Sequence, residues 1–253
     1  MKRYIKVLAV IALISVAVVS GRTLYKQEQS VQRETQKNAN DDLPIAGYDA
    51  GELTESKEHA LRKLRGKHYD AWGVINETTK KGGMIIYSEI EYPALPVAQS
   101  DFIIIGEVVE AQAYLSNNKS GVYSEFTTRV NEIIKQDNKT FLALDTLIAT
   151  ERPGGRVKFP SGGVVKFRFI GQGMPRQGRQ YLFFLKRNEE RENYTILTAY
   201  ELRAGKVFPI DGTVAAIGNK VWPFDTYKGA DKLRLLTDLQ HEIAHPSQKS
   251  VIY

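Results

Sequence analysis

The chain has 253 residues, 42% of them hydrophobic, which is enough for one large or two small domains with a self-sufficient core. It holds no cysteine, which excludes a disulfide scaffold, thiol catalysis and a sulfur-linked lipid. The formal charge of +6 falls to +3 once the first 21 residues, with three cations and no anion, are set aside, and that bias is too weak for a nucleic-acid footprint.

Residues 1–21 begin with Lys2, Arg3 and Lys6 and continue as an uncharged run from Val7 to Val19, the layout of a secretory signal. The run falls short of the roughly 20 residues that a spanning helix needs. A signal peptide cleaved near Ser20 and Gly21 is therefore expected. An N-terminal anchor is the alternative, because Val18 stands where alanine is preferred. Export without cysteines fits a bacterial envelope protein, periplasmic or at the cell surface, with membrane association through residues 1–21. The N-x-S/T triplets at Asn76, Asn118, Asn138 and Asn193 read as chance.

Residues 22–45 are rich in Gln, Asn and charge with little to bury, so they read as a disordered polar linker. Residues 46–82 form a helical lead-in, where Thr54 or Ser56 caps a helix and Ala60, Leu61, Leu64 and His68 recur at three- and four-residue steps. The opposite face carries Lys57, Arg62, Lys63 and Arg65. One reading is a basic amphipathic helix on an anionic lipid surface. The reading adopted is a short solvated helix whose narrow apolar stripe packs on the body, since only two leucines and an alanine line that stripe.

From about residue 83 to 215 the period becomes two. After "FIIIG", Val109, Ala111, Ala113 and Leu115 alternate with polar neighbours, and across "SNNKSG" a second arm runs from Val122 to Val130. Gly106 allows a bend or bulge in the first arm. Turns at "PGG", "PSGG" and "GQGMPRQG" separate further strands, among them Val165 to Phe169, the doubly apolar "YLFFL", Tyr194 to Tyr200 and Lys206 to Ile210. With "GMIIYSEI" the count reaches about eight short strands, which predicts a mainly β, closed or partly open antiparallel barrel.

Residues 216–253 hold a C-terminal helix, Ala230 to His245, expected to pack on the barrel through Leu235, Leu239 and Ile243. It contains "HEIAH", the H-E-x-x-H pattern in which His241 and His245 bind zinc from one helix face while Glu242 acts as base. At 100° per residue the two imidazoles project away from the leucines. Pro246 ends the helix at once, and the eight residues that follow the motif hold no His, Asp or Glu as third ligand. The motif is therefore expected to be idle, with no metal and no cofactor, and a zinc hydrolase is kept as the alternative.

A second candidate is a face of interleaved cations and rings: Lys166, Arg168, Arg179 and Tyr181, placed to bind a glycan or anionic polymer by charge and stacking. The "GQGMPRQG" glycines do not make a phosphate loop, since Pro175 blocks a following helix.

The segments "PALPVAQSDFIIIGEVVEAQAYL", "GVYSEFTTRVNEIIK", "RPGGRVKFPSGG", "MPRQGRQYLFFL" and "LTAYELRAGKVFPIDG", from about 94 to 212, resemble a group of uncharacterised exported bacterial domains. That group is in turn similar to OB-like barrels, including the N-terminal domain of tissue inhibitors of metalloproteases and netrins, although this chain carries none of the cysteines those domains use. The resemblance implies an OB-like barrel with a peripheral N-terminal helix and a C-terminal helix, and it carries over no catalytic residue. The expected function is a non-enzymatic binding or structural module of the cell envelope, whose partner is an envelope protein or polymer.

Overall fold

The computed structural model describes residues 43–49, 57–70, 75, 84–86, 92–212 and 222–246. The signal segment 1–21, nearly all of the 22–45 linker and the sequon at Asn76 lie outside them. The chain divides into Met1–Leu43 and Pro44–Tyr253; only Leu43 of the first unit is described, and the elements below belong to the second. No described helix is long and apolar enough to cross a membrane.

The second unit is mainly β. Its strands are β1 (Ile45–Gly47), β2 (Met84–Ile86), β3 (Phe102–Leu115), β4 (Val122–Lys135), β5 (Leu147–Pro153), β6 (Gly155–Lys158), β7 (Val164–Phe169), β8 (Gln180–Asn188), β9 (Asn193–Arg203) and β10 (Lys206–Pro209). Two helices, α1 (Lys57–His68) and α2 (Lys232–Ala244), and a 3-10 turn, Pro223–Tyr227, complete the described elements.

Five strands close on themselves. β3 pairs with β4, β4 with β5, β5 with β9, and β9 with β8, which returns to β3. Every junction is antiparallel except β5–β9, a parallel seam of two residue pairs, Thr150 with Tyr194 and Glu151 with Thr195. β10 extends the ring as a hairpin with β9. The β3–β4 register slips beside Gly106, where a Cβ would lie 2.7 Å from Thr128 Cγ2 and 2.8 Å from the Arg129 carbonyl oxygen. Only glycine permits that approach, and the ring bends there.

The single barrel expected over 83–215 is corrected in one respect: β6 and β7 leave the ring and form a second sheet, in the order β1, β6, β7, β2. Gly154 and Gly155, with φ of +107° and +144°, turn the chain out of β5. The new sheet is edged by two three-residue strands, β1 and β2, both parallel to their neighbours. Val157, Val165 and Phe167 then bury against Ala113 and Val122 at the far end of the β3–β4 hairpin.

The apolar runs in β3 and β8 are explained by burial on two faces. Phe102, Ile104, Tyr181, Phe183 and Leu185 fill the ring, while Ile103, Ile105, Leu182 and Phe184 point outward into a second cluster. Leu235 and Leu239 of α2 complete that outer cluster, with Ile243 packed at its margin. Each fully buried leucine stabilises the docked helix by about 1.5–3 kcal/mol.

α1 docks by a different face from the one expected. Leu64 is exposed, and the buried residues are Arg65 and Gly66. Arg65 donates to Glu125 Oε2 at 3.1 Å, to Glu58 Oε1 at 3.2 Å and to the Arg191 carbonyl at 3.2 Å. Gly66 lies so close to the β3–β4 turn that a Cβ would meet Asn117 Oδ1 at 2.3 Å. With two leucines on offer, a buried guanidinium held by three hydrogen bonds outcompetes the apolar stripe as the anchor.

Candidate functional site

At the parallel seam β5 and β9 hold each other through two residue pairs and then diverge. Beyond the seam opens a cleft of about 270 Å³, bounded by the ends of β5 and β7, by Thr195 to Leu197 of β9, and by the 222–224 segment. Among the described residues, five aromatic side chains line it: Tyr69, Tyr92, Phe169, Trp222 and Phe224.

Glycines seat the largest of these rings. At Gly171, with φ of +73°, a Cβ would lie 2.5 Å from Trp222 Cη2, and at Gly212, with φ of +77°, 2.7 Å from Trp222 Cβ. The Gly212 amide donates to the Gly171 carbonyl at 2.7 Å, which holds the two seats together. Both positions need left-handed backbone and bare space, so substitution at either displaces the indole.

The charged floor of the cleft is held together by its own hydrogen bonds through both terminal nitrogens of Arg152, while Arg152 Nε meets no acceptor among the described residues. Arg152 Nη1 and Nη2 donate to Asp211 Oδ1 and Oδ2 at 2.8 Å and 2.7 Å, a bidentate pair buried on both sides. The same guanidinium donates to the carbonyls of Gly173 and Leu197, at 2.7 Å and 3.0 Å, and the Gly173 amide donates to Asp211 Oδ1 at 2.9 Å. Gly173 itself sits where a Cβ would be 2.0 Å from the Ile210 carbonyl oxygen, so the clamp closes only because that residue is glycine. What the cleft presents to a ligand is therefore ring faces with neutral hydrogen-bonding groups, Gln172, Thr195 and His68. Burial, with help from the Arg191 charge, holds His68 below its ordinary value of 6.5, so its imidazole is neutral at neutral pH.

Behind Tyr69 lies a second polar assembly. Tyr69 stacks on Tyr123 at 4.6 Å and 11°, and its hydroxyl donates to Glu151. Glu151, fully buried on β5, also accepts from Arg191 at 2.6 Å and from Asn193 at 2.5 Å. Burial pushes the Glu151 carboxyl up, and the Arg191 and Asn193 contacts only moderate the rise. Glu125 behaves alike, with burial outweighing the Arg65 and Arg62 charges. Burial raises Tyr69 well above the usual phenol range. These groups tie α1 and the Tyr69 that follows it to β4 and β5 at one rim of the cleft.

No protein-family model, curated protein or solved structure matches the chain.

The residues named from the sequence are dispersed. Lys166 and Arg168 lie on β7, facing away from the core made by Val165 and Phe167, in the smaller sheet. Arg179 precedes β8 in the other sheet and pairs with Glu201 at 3.4 Å. Tyr181 is corrected as a stacking residue: it is 1% exposed inside the ring, and its hydroxyl accepts the Arg176 amide at 2.8 Å. Its inward place follows from strand alternation with Phe183 and Leu185. His241 and His245 lie exposed at the end of α2, their rings stacked on each other at 4.9 Å, and no group of three or more His, Cys, Asp or Glu side chains is gathered among the described residues.

Arg152, Asp211 and Trp222 escaped the sequence reading, because nothing local marks an arginine in "ERPGG" or an aspartate in "PIDG" as buried partners 59 residues apart. The visible trace was the glycine spacing of "GQG", read as a turn, which in fact clears space for the indole and the clamp.

Proposed function

We propose that the chain is an exported, non-enzymatic binding module of the cell envelope, periplasmic or at the cell surface, that holds a neutral, ring-bearing ligand of the glycan type in the aromatic cleft. The observation that carries this reading is the cleft itself: among the described residues, five aromatic side chains and neutral hydrogen-bonding groups lie above a charge pair whose carboxylate is engaged through both oxygens. A preformed, mostly apolar concavity with a few fixed polar groups is the usual form of a small-ligand site. Asp211, the one carboxylate among the described lining residues, is committed to Arg152 through both oxygens, which suits retention of a ligand better than proton transfer.

The OB-like character belongs to the same proposal. Counted in chain order within the ring, the strands follow one another as first, second, third, fifth, fourth and back to first, with the third and fifth parallel. That Greek-key closure of five strands is the arrangement of OB barrels, which bind oligosaccharides and oligonucleotides on their outer faces. Export rests on the Lys2, Arg3, Lys6 start and the uncharged run behind it.

The test uses the full chain carrying Trp72→Phe, which leaves Trp222 as the sole indole. Titration with soluble peptidoglycan fragments and with chitin oligosaccharides should change the Trp222 fluorescence saturably, and Phe169→Ala should abolish the change while leaving the far-ultraviolet circular dichroism intact. No response to any saccharide, or an equal response in the Phe169→Ala variant, would remove the cleft from the function.

A further inference from the structure

We propose a second site, for a phosphate-bearing sugar, in the cleft between α1 and the β3–β4 hairpin. This cleft measures about 600 Å³ and shares no lining residue with the aromatic cleft. Its walls come from α1, from β1 and the turn after it, and from the end of β3 with the turn that follows. Arg62, Lys63 and Lys119 line it together with His59, and no aspartate or glutamate is among its described lining residues.

The cations are placed by rings. The Arg62 guanidinium lies 4.3 Å from the centre of the Tyr114 ring, and Lys119 Nζ lies 4.4 Å from the centre of the Tyr48 ring. Tyr48 is fixed in turn by stacking on Phe159 at 4.8 Å. Lys119 Nζ also donates to the Tyr48 carbonyl at 3.3 Å, and Lys119 keeps a left-handed φ of 55° that its backbone bonds to Ser116 and Ile75 maintain. Lysine rarely adopts that conformation, so the turn holds this side chain over the cleft at a conformational cost.

Arg62 carries the decisive detail. Its Nε–H is buried and meets no acceptor among the described residues. Buried donors are nearly always satisfied, and one left over on a side chain that also lines an open, cationic cleft points to an acceptor that arrives with a ligand once the guanidinium shifts to meet it. Of the nearby anions, Glu58 reaches Arg62 Nη2 at 3.6 Å from the neighbouring turn of α1, Glu125 feels the Arg62 charge but makes no hydrogen bond to its Nε, and Asp70 is engaged by the Asn118 amide at 2.9 Å. A guanidinium beside ammonium groups suits the three oxygens of a phosphate monoester, and the volume left over suits one sugar ring. The cation–π contacts keep the charges poised before the ligand binds, which limits the ordering cost of binding.

Isothermal titration of the full chain with glucose phosphate, inorganic phosphate and glucose tests the site. Glucose phosphate should bind best, inorganic phosphate more weakly and glucose not at all, and the affinity for both anions should fall as salt rises. Arg62→Gln and Lys119→Gln should each weaken glucose phosphate by about tenfold or more. Lys139→Gln, at an exposed lysine outside the cleft, should leave it unchanged. Circular dichroism of each variant separates loss of the site from loss of the fold, and if Arg62→Gln fails to fold, Lys119→Gln carries the test alone. Absence of anion binding, or binding equal in the Lys119→Gln variant, overturns the proposal. Arg62-dependent binding to phosphatidylglycerol vesicles without any binding of glucose phosphate overturns it too, in favour of a lipid surface.

Discussion

Glu125 on β4 and Glu151 on β5 stand directly opposite each other as antiparallel register partners, which puts two carboxyl groups in one buried patch. Burial raises both above the ordinary carboxyl value of 4.5, ahead of the pull from Arg65 and Arg191, and like charge adds to it, from Glu125 at Glu151 and from Glu58 at Glu125. In the window between 4.5 and the raised values, the native state keeps protons that the unfolded chain has released. Unfolding free energy contributed by these groups therefore falls as pH rises through that window, the reverse of the usual carboxylate. Urea unfolding of the wild type and of Glu151→Gln should give a gap that shifts in favour of the variant as pH climbs from 4.5 towards neutrality. A gap that stays flat or shifts the other way would contradict the burial argument.

The Arg152–Asp211 clamp predicts a sharp asymmetry between single and double substitution. Asp211→Ala leaves a buried guanidinium without its counter-charge and should cost about 3–5 kcal/mol. Replacing both partners, Arg152→Met with Asp211→Leu, should cost clearly less than the sum of the two single changes, as read from denaturant midpoints. Simple additivity would mean that the two side chains do not act as a pair.

On α2, Leu239 is buried in the outer cluster and Leu233, six residues earlier, is 77% exposed. Leu239→Ala should destabilise by about 2–5 kcal/mol and Leu239→Asp should abolish folding. Leu233→Ala should stay within about 0.5 kcal/mol. Thermal denaturation of the three variants measures the ranking, and equal losses at the two leucines would place the helix on the wrong face.

For α1 the order of sensitivity reverses the usual preference for apolar anchors. Arg65→Ala strips the buried donor from Glu125, Glu58 and the Arg191 carbonyl, and should cost about 1–3 kcal/mol. Leu64→Ala, at an exposed position, should change stability by less than about 0.5 kcal/mol. Hydrogen exchange confined to residues 57–68 would show whether the loss comes from the helix undocking.

The stacked imidazoles of His241 and His245 give the last prediction. His241→Ala should leave the melting temperature unchanged, both with and without added zinc, since the side chain is exposed. Zinc-dependent stabilisation of the wild type that this substitution removes would restore the hydrolase reading.

Much of the fold is legible from local pattern because burial on one or two faces writes itself directly into residue order. The long β3–β4 hairpin, the doubly buried "YLFFL" of β8 and the leucine seam of α2 all declare themselves by periodicity, since each side chain's environment repeats with the strand or helix that carries it. Even the bend at Gly106 is visible, because only one residue type tolerates the contact. Three-dimensional closure decided the rest. The exit of β6 and β7 into a second sheet depends on pairing with three-residue edges too short to carry a period, and which of the two apolar faces of β8, the one with Tyr181 or the one with Leu182, turns into the ring is decided by closure. The sites belong wholly to this second kind of information: Arg152 finds Asp211, Arg65 finds Glu125, and Arg62 and Lys119 converge on one cleft across gaps of tens of residues. A charge is bought into a protein interior only by a partner that tertiary structure delivers, so the amino-acid order states which residues are apolar, and the closed chain alone states which polar ones are kept.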